Sequence, residues 1–130
     1  DEVSIGYNAY SILKTGADEY GTRFPVLLRA YDDWRPALYV YFVIPFIWVS
    51  GLTATAVRLP SVIFSIITVY VTYLLAKEIF TEKHASLVAA LLLAISPWHI
   101  YLSRLGHEVN LGLAFVVLGA FSFLRAVHNT

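Results

Sequence analysis

Long apolar runs alternate with polar stretches along the chain, and the lengths of the apolar runs set the architecture. Residues 1–35 are polar and mixed, and hold six of the nine acidic residues. Within them Ile5, Ala9, Ile12 and Leu13 recur at helical spacing, with Tyr7 and Tyr10 between, and Gly16 follows where a helix would stop. The pattern predicts a short amphipathic helix at about 4–15, of the kind that lies in a membrane interface. Residues 16–35 carry Gly16, Gly21, Pro25 and the run Asp32-Asp33-Trp34-Arg35-Pro36. That is loop chemistry, with aromatic residues suited to headgroup depth.

The next run, ALYVYFVIPFIWVS at 37–50, is apolar but short, and Pro45 sits inside it. A membrane span needs about 20 residues, so this segment is expected to be interfacial or re-entrant. Three longer runs are expected to cross, at about 60–79, 85–102 and 108–126. Pro60 suits the first turn of its helix, where a missing N–H costs nothing. Ser96-Pro97 interrupts the second run. Lys77 and Lys83 flank the link between the first two spans, and Arg125 ends the third. Taken as cytoplasmic charges, they put the Arg58 end and the polar knot 103–108 on the outer face. Residues 1–59 then form an extracytoplasmic first loop with interfacial helices, and 60–130 form the transmembrane part, provided that 37–50 does not cross.

Composition supports a lipid environment. Hydrophobic residues make up 58% of the chain, charged residues 14%, and mean hydropathy is +0.68. Soluble domains are nearer ~45–50% apolar and about 25% charged. The predicted class is all-α: a polytopic membrane protein with about three transmembrane helices plus interfacial or re-entrant ones. Net charge is zero and no basic run occurs, which argues against a nucleic-acid partner. With no cysteine, disulfides and thiolate metal sites are excluded. Methionine is also absent, and the chain opens on Asp1-Glu2. It is therefore expected to be an excerpt, cut at both ends.

Several residues could carry chemistry. Asp1-Glu2 pairs two carboxylates beside the interfacial helix: either a solvated loop pair or a general base for an acceptor hydroxyl. Arg58 and Arg104 each end an apolar span, as snorkelling anchors or as phosphate ligands. Arg35, in Trp34-Arg35-Pro36, is a belt residue or a ligand of a lipid phosphate. Asp32 and Asp33 are loop charges or part of an acceptor site. His107 and Glu108 sit at the mouth of a span. Together they offer two metal ligands without a third, and Glu108 is equally placed to cap the following helix. His99, within the second span, is expected to satisfy a backbone carbonyl rather than to bind a metal. No Gly-rich phosphate loop, His-Glu-x-x-His or Ser/His/Asp arrangement occurs.

The order of these features resembles glycosyltransferase family 39. The features are the acidic pair, Ser4-Ile5-Gly6-Tyr7-Asn8-Ala9-Tyr10, Trp34-Arg35-Pro36-Ala37-Leu38-Tyr39, Val57-Arg58-Leu59-Pro60-Ser61, Ile95-Ser96-Pro97-Trp98-His99, Ser103-Arg104 and Glu108. That family holds the protein O-mannosyltransferases and the bacterial aminoarabinose transferases of the C-type glycosyltransferase superfamily. The resemblance implies transfer of a sugar from a polyprenyl-phosphate carrier to an extracytoplasmic acceptor, at a bacterial inner membrane. It implies Asp1 as catalytic base with Glu2 adjacent, and Arg58 as a phosphate ligand assisted by Arg35 or Arg104. Glu108, His107 and Asp33 are further site candidates. The family's Lys/His-Pro-Pro pattern departs here, where Ala37 replaces the second proline. No cofactor is implied beyond a divalent metal left open, and sugar and acceptor are unspecified. The rival class is a non-catalytic transporter or membrane-assembly subunit; the absence of an internal repeat counts against a transporter.

Overall fold

The structure is a computed structural model that describes residues 2–30, 33–80 and 82–128, with the side chains of Ala30, Asp33 and Lys83 left aside. The described residues form six helices and one antiparallel hairpin. They divide into two compact units, residues 1–61 with 105–108, and 62–104 with 109–130.

The first unit is built on two helices. Helix α1 (Glu2–Thr15) buries Ile5, Ala9 and Ile12, which its 3.6-residue repeat places on one stripe. The stripe packs on helix α2 (Leu38–Ser50), which buries Tyr39, Val40, Val43 and Ile47. Asn8 is also buried on α1. Its Nδ2 donates to the Ser4 carbonyl at 2.9 Å and to Glu19 Oε1 at 3.2 Å, and its Oδ1 accepts the Glu19 N–H at 3.1 Å. A buried amide so satisfied fixes the following turn without a net penalty. Gly16, at φ +72°, ends α1 as expected, its N–H returning to the Ile12 carbonyl at 2.9 Å.

The stretch expected to be irregular contains a hairpin. Strands β1 (Leu27–Ala30) and β2 (Asp33–Pro36) pair antiparallel, with Leu28 opposite Arg35 and Arg29 opposite Trp34. Strands of four residues lack a long alternating pattern, so sequence periodicity gives them little signal. Helix α2 is apolar all round, so its sequence alone marks no buried face.

Helix α3 runs Ala54–Ile79, six residues earlier than the expected start. Thr53 Oγ1 caps it by accepting the Ala56 N–H at 3.2 Å. Pro60 therefore lies inside the helix rather than in its first turn, where it has no N–H to give the Ala56 carbonyl.

The second unit holds the rest of α3, helix α4 (Lys83–Ala94), helix α5 (Pro97–Arg104) and helix α6 (Val109–His128). Among the described residues, α3 and α6 are long and apolar enough to cross a membrane. The pair α4–α5 passes the same test as one span bent by 53°. The bend falls at Ile95-Ser96, before a proline that cannot continue the ladder. Phe64 and Phe115 meet with ring centroids 6.4 Å apart. His99 is buried and meets the Ser65 hydroxyl through Nε2 at 2.7 Å. The backbone carbonyl expected as its partner is thus replaced by a side chain from another helix, a pairing that no local pattern announces.

Candidate active site

The chemistry-bearing contacts of the first unit gather around Glu2. This residue opens α1, and its carboxylate meets groups 56 and 104 positions away. Arg58 Nε donates to Oε1 at 2.9 Å and to Oε2 at 3.2 Å, while Nη2 donates to Oε2 at 2.9 Å. The Gly106 N–H completes the set, donating to Oε1 at 2.9 Å. The guanidinium thus lies side-on to the carboxylate, the paired geometry that favours Arg over Lys. The hydrogen bonds from Arg58 above all, with that of Gly106, hold the Glu2 carboxyl below the usual carboxylate range against a partial desolvation. Glu2 is ionised at neutral pH and a weak proton acceptor.

Gly106 reaches Glu2 because it has no side chain. A Cβ there would lie 2.8 Å from Val57 Cγ1 and 3.1 Å from the Val57 carbonyl oxygen. That carbonyl also accepts the Tyr39 hydroxyl at 2.8 Å. Tyr39 is almost fully buried, and burial first, with the Glu2 and Glu108 charges adding, pushes its phenol up to about 12. It is a neutral donor that ties α2 to the start of α3 next to Arg58. Sequence reasoning missed both Tyr39 and Gly106. The signal available for Gly106 was a glycine inside a charged knot; for Tyr39 it was its place at the end of the Trp34-Arg35-Pro36-Ala37-Leu38-Tyr39 motif.

Two cavities border this cluster. One of about 250 Å³ is lined by Glu2, Gly6, Tyr7, Leu52, Thr53 and Val57. The other, about 10 Å³, brings Arg35 and Glu108 together with Ser4, Asn8 and Tyr39; it has room for no more than a water. Arg35, on β2, thus lines this small space and not the larger cavity. His107 Nδ1 lies 3.3 Å from Glu108 Oε2. Among the described residues, no three His, Cys, Asp or Glu side chains gather as a metal site would require.

Other expected site residues fall elsewhere. Asp1 and Asp32 lie outside the described residues, and Asp33 is described only as backbone in β2. Arg104 is the exposed last residue of α5 and belongs to the second unit. That unit holds a cavity of about 630 Å³, lined mainly by apolar side chains with Ser65, His99 and Ser103. None of the expected site residues lines it.

Residues 35–130 match the family model described as dolichyl-phosphate-mannose-protein mannosyltransferase. The chain belongs to that family. The mannosyltransferase family comprises membrane glycosyltransferases that draw on polyprenyl-phosphate-linked sugars. Its matched residues include Arg35, Arg58, Gly106 and Glu108, whereas Glu2 lies before them. No match was found among curated proteins or among solved structures.

Proposed function

We propose that this protein transfers a sugar from a polyprenyl-phosphate donor to an extracytoplasmic acceptor, with inversion at the anomeric carbon. The observation that carries the reading is the Arg58–Glu2 ion pair beside the cavity of about 250 Å³, next in sequence to Asp1. In the reaction, an acceptor hydroxyl or amine attacks the anomeric carbon and its proton passes to the Asp1 carboxylate. The bond from that carbon to the phosphate oxygen breaks, and polyprenyl phosphate departs with the electron pair. Arg58 stabilises the charge that grows on the departing phosphate, which is where a preorganised donor helps most.

The same reading puts residues 1–59 on the extracytoplasmic face of a bacterial inner membrane and lets 60–130 cross it. The lipid tail of the donor then stays in the bilayer while its phosphate meets Arg58 at the start of α3. Arg35 has a lesser claim to the phosphate, because it lines the small cavity with Glu108.

Two substitutions in the intact protein test the assignment. Asp1→Asn removes the base and is expected to abolish sugar transfer with expression and donor binding nearly intact; retained transfer would remove Asp1 from the mechanism. Arg58→Ala is expected to weaken donor binding, and unchanged affinity would take Arg58 out of the phosphate site.

A further inference from the structure

We infer that Glu2 is a positioning residue, which aims Arg58 at the donor phosphate, and not a second base. The inference rests on the reading of Arg58 as the phosphate ligand. It begins with the edge of the guanidinium that Glu2 takes. A guanidinium offers five N–H donors on three nitrogens, arranged in forks. Glu2 occupies the side fork, made of Nε and Nη2. The end fork, made of Nη1 and the second hydrogen of Nη2, is not used by this pair. An end fork matches two oxygens of a phosphate in the same bidentate way. One arginine can therefore hold the carboxylate and a phosphate together, with the first contact fixing the direction of the second.

Fixing matters because Arg58 is about half exposed, with 49% of its side-chain surface open, against 26% for Glu2. An arginine this open samples many rotamers, and ordering it on binding would cost affinity. Glu2 limits that freedom before the donor arrives. Glu2 is itself held from a third direction, by the Gly106 N–H. Two segments remote in sequence, at Arg58 and Gly106, thus converge on the Glu2 carboxylate. Its two oxygens already receive four short donor contacts, three from Arg58 and one from Gly106. A carboxylate so engaged is poorly suited to taking a proton from an acceptor.

The test uses the intact protein in detergent and a sugar-free polyprenyl phosphate as probe, with binding read by calorimetry. Glu2→Gln keeps size and shape but removes the charge that pairs with Arg58. It is expected to weaken phosphate binding on the order of tenfold, the scale of a lost charge-assisted pair. Arg58→Ala is expected to weaken binding at least as much. In the double variant Glu2→Gln/Arg58→Ala, the Glu2 change is expected to add nothing, because its effect passes through Arg58. Glu2→Asp, which keeps the charge but shortens the reach, is expected to fall between parent and Glu2→Gln and covers the case in which Glu2→Gln does not fold. Full phosphate affinity in Glu2→Gln with lost sugar transfer would mean that Glu2 is a base and overturn the inference. An equal loss from Glu2→Gln with and without Arg58 would mean a general structural role and overturn it too. Unchanged binding in Arg58→Ala would instead overturn the reading of Arg58 on which the inference stands.

Discussion

Replacing Gly106 by alanine tests the packing that brings the cluster together. The added Cβ would sit 2.8 Å from Val57 Cγ1 and 3.1 Å from the Val57 carbonyl oxygen. Carbon atoms in good contact lie at about 3.5–4.0 Å, so the first contact is short by well over half an ångström. Val57 has no easy escape. Its side chain is buried, and its carbonyl is held by the Tyr39 hydroxyl. The segment around residue 106 must retreat instead, which lengthens the bond from its N–H to Glu2. Overpacking of this kind costs about 1–3 kcal/mol, and the stretched hydrogen bond to a charged group places Gly106→Ala in the upper part of that range. Reversible unfolding in mixed micelles, followed by far-ultraviolet circular dichroism, measures the cost. Adding Val57→Ala removes the shorter of the two contacts and is expected to recover part of the loss. Stability within about 0.5 kcal/mol of the parent, the range of ordinary surface changes, would refute the close approach. So would a double variant that recovers nothing.

Other outcomes follow from the same contacts. Tyr39→Phe removes the hydroxyl that donates to the Val57 carbonyl and is expected to cost about 0.5–1.5 kcal/mol in the same unfolding assay, with little change in helix content. Ser65→Ala strips the partner from His99 Nε2 and is expected to cost about 1–3 kcal/mol in the second unit. The Glu2 carboxyl is depressed on folding, so its stabilisation is fully present above its ordinary value of 4.5 and is lost as pH falls through its lower folded value. The parent should lose stability over that acid window more steeply than Glu2→Gln, and parallel profiles would count against the ion pair.

How much of this the sequence announced differs from element to element. The long apolar runs announced α3, the bent α4–α5 pair and α6, because span length is a one-dimensional property. The Ile5, Ala9, Ile12 stripe and Gly16 announced α1 within two residues of its observed start at Glu2. The hairpin did not show, since four-residue strands give no long alternation. The start of α3 was placed late because its cap, Thr53, stands before small residues and not before an apolar run. Arg58 stood out by its position at the end of a span. Its partner did not, because Glu2 is 56 residues away and the Gly106 N–H lies 104 residues from Glu2. Such contacts are set by tertiary packing alone. For the same reason the sequence grouped Arg35 with Arg58, whereas the fold sends Arg35 into a small cavity with Glu108. Residue type announced which groups could carry chemistry, but packing decided which of them meet.

The central claim is sugar transfer from a polyprenyl-phosphate donor. Its most direct test incubates the intact protein, in membrane vesicles, with a panel of polyprenyl phosphates carrying different labelled sugars. Release of polyprenyl phosphate with label moving to a non-lipid acceptor, for at least one sugar and lost in Asp1→Asn, is the predicted result. A folded, membrane-inserted protein that releases nothing from any donor of the panel would contradict the account.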